Sequence, residues 1–174
     1  MQILKPYLLL VWVVVFSCAQ KPASKDGTKW ISLQQAADSL KQQQKPVLID
    51  LYTDWCGWCK VMDKKTYSNK NVAAYLQEKF YAVKVNAEGR KDIDWNGRHF
   101  TFNENYNAHN FALYLTRGQL SYPTTVIIPV NGEPEAVPGY MSPAELELIV
   151  KYFGEGNYGK KTFEEFQKTF KAQW

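Results

Sequence analysis

Apolar residues along this chain follow two patterns, short continuous runs and residues spaced three or four positions apart. The runs predict β-strands at 47–52, 81–85, 124–129 and 135–137. The spaced residues predict helices at 33–40, 60–65, 72–80, 107–115, 146–153 and 163–170. Strands and helices that alternate in this way are typical of an α/β fold, in which helices cover a central sheet. The run at 47–52 is nearly all apolar, so it suits a central strand buried on both faces.

Local signals refine the ends of these elements. Ser32 and Ser142 each precede a Gln or Glu by three residues, which is the pattern of a helix capping box. The polar stretch 66–69 interrupts helical spacing, which predicts either one bent helix or two short ones. A short first strand is expected at 29–31, and glycine-rich residues at 154–159 separate the last two helices.

The N-terminal residues 1–17 are typical of an export signal. Their apolar run at 7–16 is ten residues long, whereas a membrane-spanning helix needs about twenty. The residues before Cys18 resemble a bacterial lipobox, which predicts lipidation of Cys18 after cleavage; an ordinary signal peptide or an uncleaved anchor is the alternative. Residues 18–28 are then a polar tether, and 29–174 form the folded domain.

Composition narrows the classes of function. Only Lys5 of the 21 basic residues lies within the first 17, and all 17 acidic residues follow it, so the remaining chain carries a net charge of +3. Such a small charge does not favour a nucleic-acid partner. The 26 aromatic residues are enough for a core and for some exposed binding surface.

Cys56 and Cys59 are the main candidates for chemistry. They are separated by two residues and directly follow the predicted strand at 47–52. If Cys56 opens a helix, the free N–H groups of the first turn favour its thiolate, which is the nucleophile in disulfide exchange. Cys59 is then close enough to resolve a mixed disulfide on Cys56. The pattern therefore predicts a thiol–disulfide oxidoreductase.

Two other uses of the cysteine pair are open. A structural zinc site needs further ligands, and the remaining Cys18, His99 and His109 lack the common spacing, so both histidines are interpreted as ordinary polar residues. A purely structural disulfide across two residues would add little stability. No metal or cofactor is expected.

Residues 47–60, which include Trp55-Cys56-Gly57-Trp58-Cys59-Lys60, resemble the active-site segment of the thioredoxin superfamily. Tyr122-Pro123-Thr124 resembles that family's cis-proline loop, Val83–Asn86 its third strand, and Gly139-Tyr140 the glycine that follows its last strand. The resemblance covers 30–153 and is closest to exported thioredoxin-like proteins with a tryptophan inside the motif. It implies a central mixed β-sheet flanked by helices.

The resemblance also implies roles for individual residues. Asp50 would be a buried carboxylate beneath Cys59 that exchanges protons with its thiol, with Lys84 nearby. The alternative for Asp50 is a surface ion pair or a position on an edge strand. A cis bond at Pro123 would let Tyr122 and Thr124 offer main-chain groups to an extended substrate.

The residues around the cysteines are expected to contact substrate. Trp55 would wall the site, and the pair Gly57-Trp58 would influence both the redox potential and the nearby surface. The alternative for each tryptophan is that it only packs a loop.

Two segments depart from the compact family pattern. Residues 87–121 form an insert before the cis-proline loop, in which Asn96-Gly97 predicts a small hairpin. The insert is expected near the active-site edge, where it shapes partner choice; the alternative is a decoration without effect on stability. Residues 160–174 form a tail that contains an extra C-terminal helix, and the sequence does not reveal the role of this tail.

The preferred function is net reduction of protein disulfides by an exported, periplasmic protein anchored in the membrane through Cys18. Its partners would be protein thiols and disulfides and a membrane electron-donor protein, and the chain is expected to be a monomer. A disulfide oxidase or isomerase is the rival within the enzyme class. A non-catalytic peptide-binding or chaperone-like module is the rival from another class.

Overall fold

The computed structural model describes residues 27–174. Its elements, in chain order, are α1 (Leu33–Gln42), β1 (Val47–Tyr52), α2 (Gly57–Met62), a π-helical turn (Asp63–Tyr67), α3 (Lys70–Lys79), β2 (Tyr81–Asn86), β3 (Ile93–Trp95), β4 (Arg98–Phe100), β5 (Phe102–Asn103), β6 (Ala108–His109), α4 (Asn110–Thr116), β7 (Thr124–Ile128), β8 (Glu135–Pro138), α5 (Pro143–Gly154) and α6 (Phe163–Thr169). The predicted signal, Cys18 and most of the predicted tether lie outside the described residues.

The four strands β1, β2, β7 and β8 form a mixed sheet in the order β2-β1-β7-β8. β1 is central, with β2 parallel on one side and β7 antiparallel on the other. In this register Asp50 lies opposite both Lys84 and Thr125. The strand expected at 29–31 is reduced to one bridge between Ile31 and Val83.

Helices cover both faces of the sheet. Ile49 and Leu51 of β1 pack in one core cluster with Ala36 of α1 and Phe111 of α4, whereas Leu48 packs in a second cluster on the opposite face. That second cluster contains residues of α2, α3 and α5. Because side chains alternate along a strand, Asp50 points to the same face as Leu48, which is the face that α2 covers.

The polar stretch at 66–69 divides the helical region, as the sequence predicts. α2 passes into the π-helical turn, and Asn69 then starts α3 by accepting hydrogen bonds from the backbone N–H groups of Asn71 and Val72. Ser68 satisfies the end of the turn, because its hydroxyl and its N–H both donate to the carbonyl oxygen of Asp63.

The insert contributes to the core. Its first hairpin, β3–β4, turns at Asn96-Gly97, where both residues have positive φ angles of 50° and 74°. Trp95 and Phe100 of this hairpin are buried and pack against Phe111. The interpretation of the insert as a decoration without effect on stability is therefore wrong for this hairpin, since burial of two large aromatic side chains is strongly stabilising.

His109 is not the ordinary polar residue that the sequence analysis expected. It is fully buried and caps α4, since its Nδ1 accepts the N–H of Phe111 at 3.1 Å. Burial lowers the pKa of its imidazole, which keeps Nδ1 free to accept this bond. The helix begins at Asn110 and not at the predicted 107, because residues 108–109 pair with β5.

The C-terminal tail covers a buried charge. Glu147 of α5 has no exposed surface, and its carboxylate is 2.7 Å from the Nζ of Lys151. The backbone N–H groups of Gln173 and Trp174 also donate to this carboxylate, at 2.9–3.0 Å. Trp174 packs edge-on against Tyr75 of α3, with ring centroids 5.4 Å apart.

No helix between residues 27 and 174 is long and apolar enough to cross a membrane.

Removing Gln173 and Trp174 is expected to lower the free energy of unfolding by about 1–3 kcal/mol, because Glu147 loses two backbone donors in a buried site. Urea unfolding of the chain ending at Ala172 measures this loss. Lys171→Ala, which alters an exposed side chain, is the control and should leave the midpoint unchanged. An unchanged midpoint for the truncated chain would show that the tail does not stabilise the domain.

Candidate active site

The two cysteines lie where the central strand turns into a helix. Cys56 is the N-cap of α2, and its backbone N–H donates to the carbonyl oxygen of Thr53. Cys56 and Cys59 form a disulfide, and the N–H of Cys59 points at the Sγ of Cys56 at 3.0 Å. Both cysteines are almost fully buried. The end of the helix therefore directs an N–H donor at the sulfur that would carry charge after reduction.

Asp50 is a buried carboxyl on the face of the sheet that α2 covers. Only 1% of the residue is exposed, so the alternative of a surface ion pair for Asp50 is wrong. Burial raises the pKa of Asp50 to about 6, although the positive charge of Lys84 counteracts part of this effect. The Nζ of Lys84 lies 2.8 Å from the Oδ2 of Asp50. Asp50 is thus a carboxyl that can gain or lose a proton close to neutral pH.

Lys84 connects Asp50 to a second carboxylate, that of Asp63. The Nζ of Lys84 donates to the Oδ1 of Asp63 and also lies about 5 Å from the ring centroids of Trp30 and Tyr52. Burial alone would lower the pKa of Lys84, but the charges of Asp50 and Asp63 outweigh it and raise this pKa. The Asp63 side chain is 43% exposed, so the three charges run from the interior to the surface.

Asp63 and Tyr67 are site residues that the sequence analysis missed. Asp63 follows Cys59 by four residues on the helical segment, a spacing that places two side chains on the same helix face and was readable in advance. Tyr67 is buried, and its hydroxyl is 3.0 Å from the Oγ1 of Thr125. Burial raises the pKa of Tyr67, and the charge of Asp50 raises it further. Tyr67 thus keeps its proton beside Asp50.

The proline loop is next to the cysteines because β7 pairs with β1. Thr124, the first residue of β7, is the register partner of Leu51 in β1. The peptide bond between Tyr122 and Pro123 is cis, as the resemblance implies. The Oγ1 of Thr124 donates to the carbonyl oxygen of Ser121 at 2.7 Å. The N–H of Gly139 donates to the carbonyl oxygen of Pro123 at 2.8 Å. These bonds hold the loop from both ends.

Both motif tryptophans are exposed, by 67% for Trp55 and 63% for Trp58, so neither fills a packed loop. The Nε1 of Trp55 donates to both carboxylate oxygens of Glu88, at 3.0 and 3.1 Å, and its ring contacts Tyr122 edge-on. Trp58 contacts Tyr140, with ring centroids 5.6 Å apart. The sequence analysis did not identify Glu88 and Tyr140 as residues of the site. Glu88 belongs to the insert, so the insert does reach the edge of this site.

The environment of Gly57 is open. A Cβ built on Gly57 would meet no atom within 4 Å. Packing therefore does not require glycine at this position. No other side chain of the described residues covers the surface beside Gly57 at the start of α2. Within residues 27–174, no three His, Cys, Asp or Glu side chains converge to form a metal site.

The sequence of this chain matches a known protein family. Residues 20–153 match the family Thioredox_DsbH, which is described as a protein of unknown function, DUF255. The chain belongs to this family.

Spermatogenesis-associated protein 20 of Homo sapiens is 33% identical over 61 residues, or 35% of this chain. The thiol:disulfide interchange protein DsbD of Vibrio vulnificus is 46% identical over 46 residues, or 26% of this chain. The chain spans 8% of the length of each relative.

Solved structures show the same fold. A DsbH oxidoreductase superposes with a TM-score of 0.54 at 18% identity, covering 79% of this chain and 91% of its own. A thioredoxin-fold protein from Helicobacter pylori also gives 0.54, at 22% identity, covering 72% of this chain and 79% of its own. The thioredoxin-like α/β fold that the resemblance implies is therefore confirmed.

Asp50→Asn is expected to stabilise the oxidised protein by about 3 kcal/mol at pH 7, because the folded carboxyl has a pKa near 6 and its ordinary value is 3.8. Because its pKa is raised, the Asp50 carboxyl destabilises the fold least below about pH 4, where it is neutral in both the folded and the unfolded state. Its unfavourable contribution grows as the pH rises from about 4 to about 6 and is constant above that. The gain from Asp50→Asn should therefore vanish below pH 4.

Denaturant unfolding at pH 3.5, 5 and 7.5 measures this difference. Asp54→Asn changes an exposed carboxylate on the same loop and is the control, expected to give no comparable gain. Equal stability of wild type and Asp50→Asn at pH 7.5 would contradict an unfavourable buried charge at Asp50.

Proposed function

We propose that this chain is a thiol–disulfide oxidoreductase that reduces disulfides in other proteins. The observation that carries the proposal is the pairing of a Cys-x-x-Cys disulfide at a helix start with a buried carboxyl whose pKa is about 6. Similarity to a segment of a protein named thiol:disulfide interchange protein supports the same chemistry.

In the first step the Cys56 thiolate attacks one sulfur of the substrate disulfide. A mixed disulfide forms between Cys56 and that sulfur, and the other substrate sulfur leaves as a thiolate. The N–H of Cys59, which points at the Cys56 Sγ in the oxidised form, stabilises the thiolate before attack. Main-chain groups of Tyr122 and Thr124 hold the substrate as an added strand.

In the second step Cys59 resolves the mixed disulfide. Asp50 accepts the proton of the Cys59 thiol, and the resulting thiolate attacks the Cys56 Sγ and releases the second substrate thiolate. Two electrons have then moved from the Cys56–Cys59 dithiol to the substrate, and the pair is again the disulfide seen here. Asp50 then gives this proton to solvent, and the protonated Lys84, which lies between Asp50 and Asp63, stabilises the carboxylate that remains.

A further dithiol must then reduce the Cys56–Cys59 disulfide. We assign this role to an electron-donor protein of the membrane. The direction of net electron flow depends on the reduction potential of the pair, because the exchange reaction itself is reversible.

Equilibration of the Cys56–Cys59 pair with glutathione, using the chain from Lys21 onward, tests the direction. A potential near the thioredoxin value of about −270 mV is expected for a reductase. A value near about −120 mV would identify an oxidant that installs disulfides and overturn the proposed direction. Absence of reversible exchange would contradict the enzymatic function itself.

Single cysteine variants are a control on the chemistry. Cys59→Ser should accumulate mixed disulfides with substrate proteins, whereas Cys56→Ser should form none, since the attacking sulfur is missing. Full biological activity of Cys56→Ser would favour the non-catalytic peptide-binding alternative.

We also propose that the domain works outside the cytoplasm, in the periplasm, held to a membrane by lipid on Cys18. The apolar run at 7–16 and the residues before Cys18 support this proposal. The start of the described chain is held against the domain, because the N–H and hydroxyl of Thr28 both donate to the carbonyl oxygen of Tyr67. About ten residues would then separate the lipid from the domain.

Cys18→Ser should move the full-length protein, expressed in a bacterium, from the membrane fraction to the soluble periplasmic fraction. Labelled palmitate should be incorporated into the wild type and not into Cys18→Ser. Ser17→Thr, which keeps the cysteine and a small residue before it, is a control for the altered sequence. A wild type recovered only in the soluble fraction would indicate an ordinary signal peptide.

A further inference from the structure

Positive charge is concentrated on the helical segment that carries the cysteines and on the start of the next helix. Residues 55–77 contain four lysines and one acidic residue, Asp63, so their net charge is 4 − 1 = +3. The whole chain after residue 17 also has a net charge of +3, so its other residues balance one another. The small overall charge of the chain therefore conceals one basic region.

The lysines of this region lie on the exposed side of the segment. Its buried side chains are those of Cys59, Met62, Thr66 and Tyr67. Lys60, Lys64 and Lys65 are exposed, and Lys60 and Lys64 share one side because they are four residues apart on a helical segment. Lys70, the first residue of α3, is exposed as well.

The N-terminal stretch of the described chain lies against the same region. The N–H of Thr28 donates to the carbonyl oxygen of Tyr67 at 2.9 Å, and a Cβ built on Gly27 would be 3.3 Å from the Cα of Ser68. Lys29, which follows directly, is exposed. We call this set of five lysines the basic face: Lys29, Lys60, Lys64, Lys65 and Lys70.

Contacts within the domain do not account for the basic face. None of its five lysines has an ion-pair partner among residues 27–174, because the nearby Asp63 is bound by Lys84 instead. Lys60 and Lys64 are like charges at helical spacing, which repel each other. Lys70 lies in the first turn of α3, where the helix dipole disfavours a positive charge. The arrangement thus costs the isolated domain stability, which indicates that the charge serves a partner.

We propose that the basic face binds the anionic phospholipid surface of the membrane to which Cys18 attaches the chain. Nine residues lead from Cys18 to Gly27, and they span at most about 30 Å. A lipid on Cys18 would therefore keep Gly27, and with it the basic face, close to the bilayer. Lysines near such a surface are attracted by its negative headgroups, and a basic patch beside a lipid anchor strengthens membrane binding. This inference extends the proposed attachment through Cys18 by specifying which side of the domain meets the membrane.

Docking by the basic face would also fix the position of the cysteines. Lys60 directly follows Cys59, and the nine residues from Cys56 to Lys65 extend about 14 Å along the helical segment. The cysteine pair would then lie at the rim of the docked face and stay open to other proteins. An electron-donor protein of the same membrane could reach it there.

Co-sedimentation with vesicles tests the proposal. The chain from Lys21 onward lacks Cys18 and contains both core clusters, whose residues lie between 30 and 174. It is mixed at low ionic strength with vesicles of phosphatidylcholine alone or of equal parts phosphatidylcholine and phosphatidylglycerol. Binding is expected only to the vesicles that contain phosphatidylglycerol. About 1 M NaCl should abolish it, because the Debye length is then about 3 Å.

A triple variant locates the binding surface. Lys64→Gln, Lys65→Gln and Lys70→Gln together remove three charges from the basic face. They are expected to lower the partition coefficient of the protein on the anionic vesicles at least about tenfold, because each lysine near such a surface contributes a factor of about five.

A second triple variant is the matched control. Lys160→Gln, Lys168→Gln and Lys171→Gln remove the same charge from exposed positions near the C-terminus. They should change the partition coefficient less than about twofold, because charges remote from the docked face are screened. Neither triple variant alters a residue of the active site, so both should reduce a soluble disulfide at the wild-type rate.

Absence of wild-type binding to the anionic vesicles would overturn the inference, and so would an equal loss of binding in the two triple variants. Binding of the wild type to polyglutamate but not to these vesicles would also overturn it and indicate an acidic protein partner. Because the chain used lacks Cys18, these outcomes leave the proposed lipidation and disulfide chemistry in place. Failure of the wild type to reduce a soluble disulfide would instead contradict the proposed function.

Discussion

A carboxylate inside the sheet is the constraint on which the site depends. Asp50 lies on the central strand with 1% of its surface exposed, and Lys84 is the cation beside it. The ionised carboxylate lacks the hydration that it would have in water, and the ion pair with Lys84 replaces only part of it. Asp50 therefore keeps its proton up to a pH of about 6. A carboxyl with a much lower pKa would be a weaker base for a thiol. The instability of the buried charge and the proton-transfer role that we propose for Asp50 have the same cause, its burial.

The position of that carboxyl follows from the architecture. β1 lies between β2 and β7, so its side chains are covered on both faces. Lys84 reaches Asp50 because β2 is parallel to β1 and in register with it, and Thr124 brings the proline loop to the same end because β7 is antiparallel to it. Three separate parts of the chain thus meet at the end of β1 through sheet pairing, and the hydrogen bonds from the Trp55 indole to Glu88 join two of the loops directly.

Local patterns were enough to predict most of the elements. The strand at 47–52, the capping residues Ser32 and Ser142 and the turn at Asn96-Gly97 all depend on neighbours within a few positions, and the structure agrees with each. The start of α4 was wrong by three residues, because pairing of 108–109 with β5 overrides helical spacing. Propensity is a weak signal wherever a tertiary partner competes with it.

Contacts between distant residues explain what the sequence did not reveal. Glu88 binds Trp55 across 33 positions, and Lys84 binds Asp63 across 21, so neither pair leaves a periodic pattern. Exposure is equally hidden from composition, since Trp95 and Trp58 are the same residue type with opposite environments. The consequence for the site is that the tryptophan fixed by Glu88 is tied to the insert, whereas Trp58 is not. Substitutions in the insert should therefore change the position of Trp55 before that of Trp58, because the contact of Trp58 with Tyr140 depends on the loop after β8.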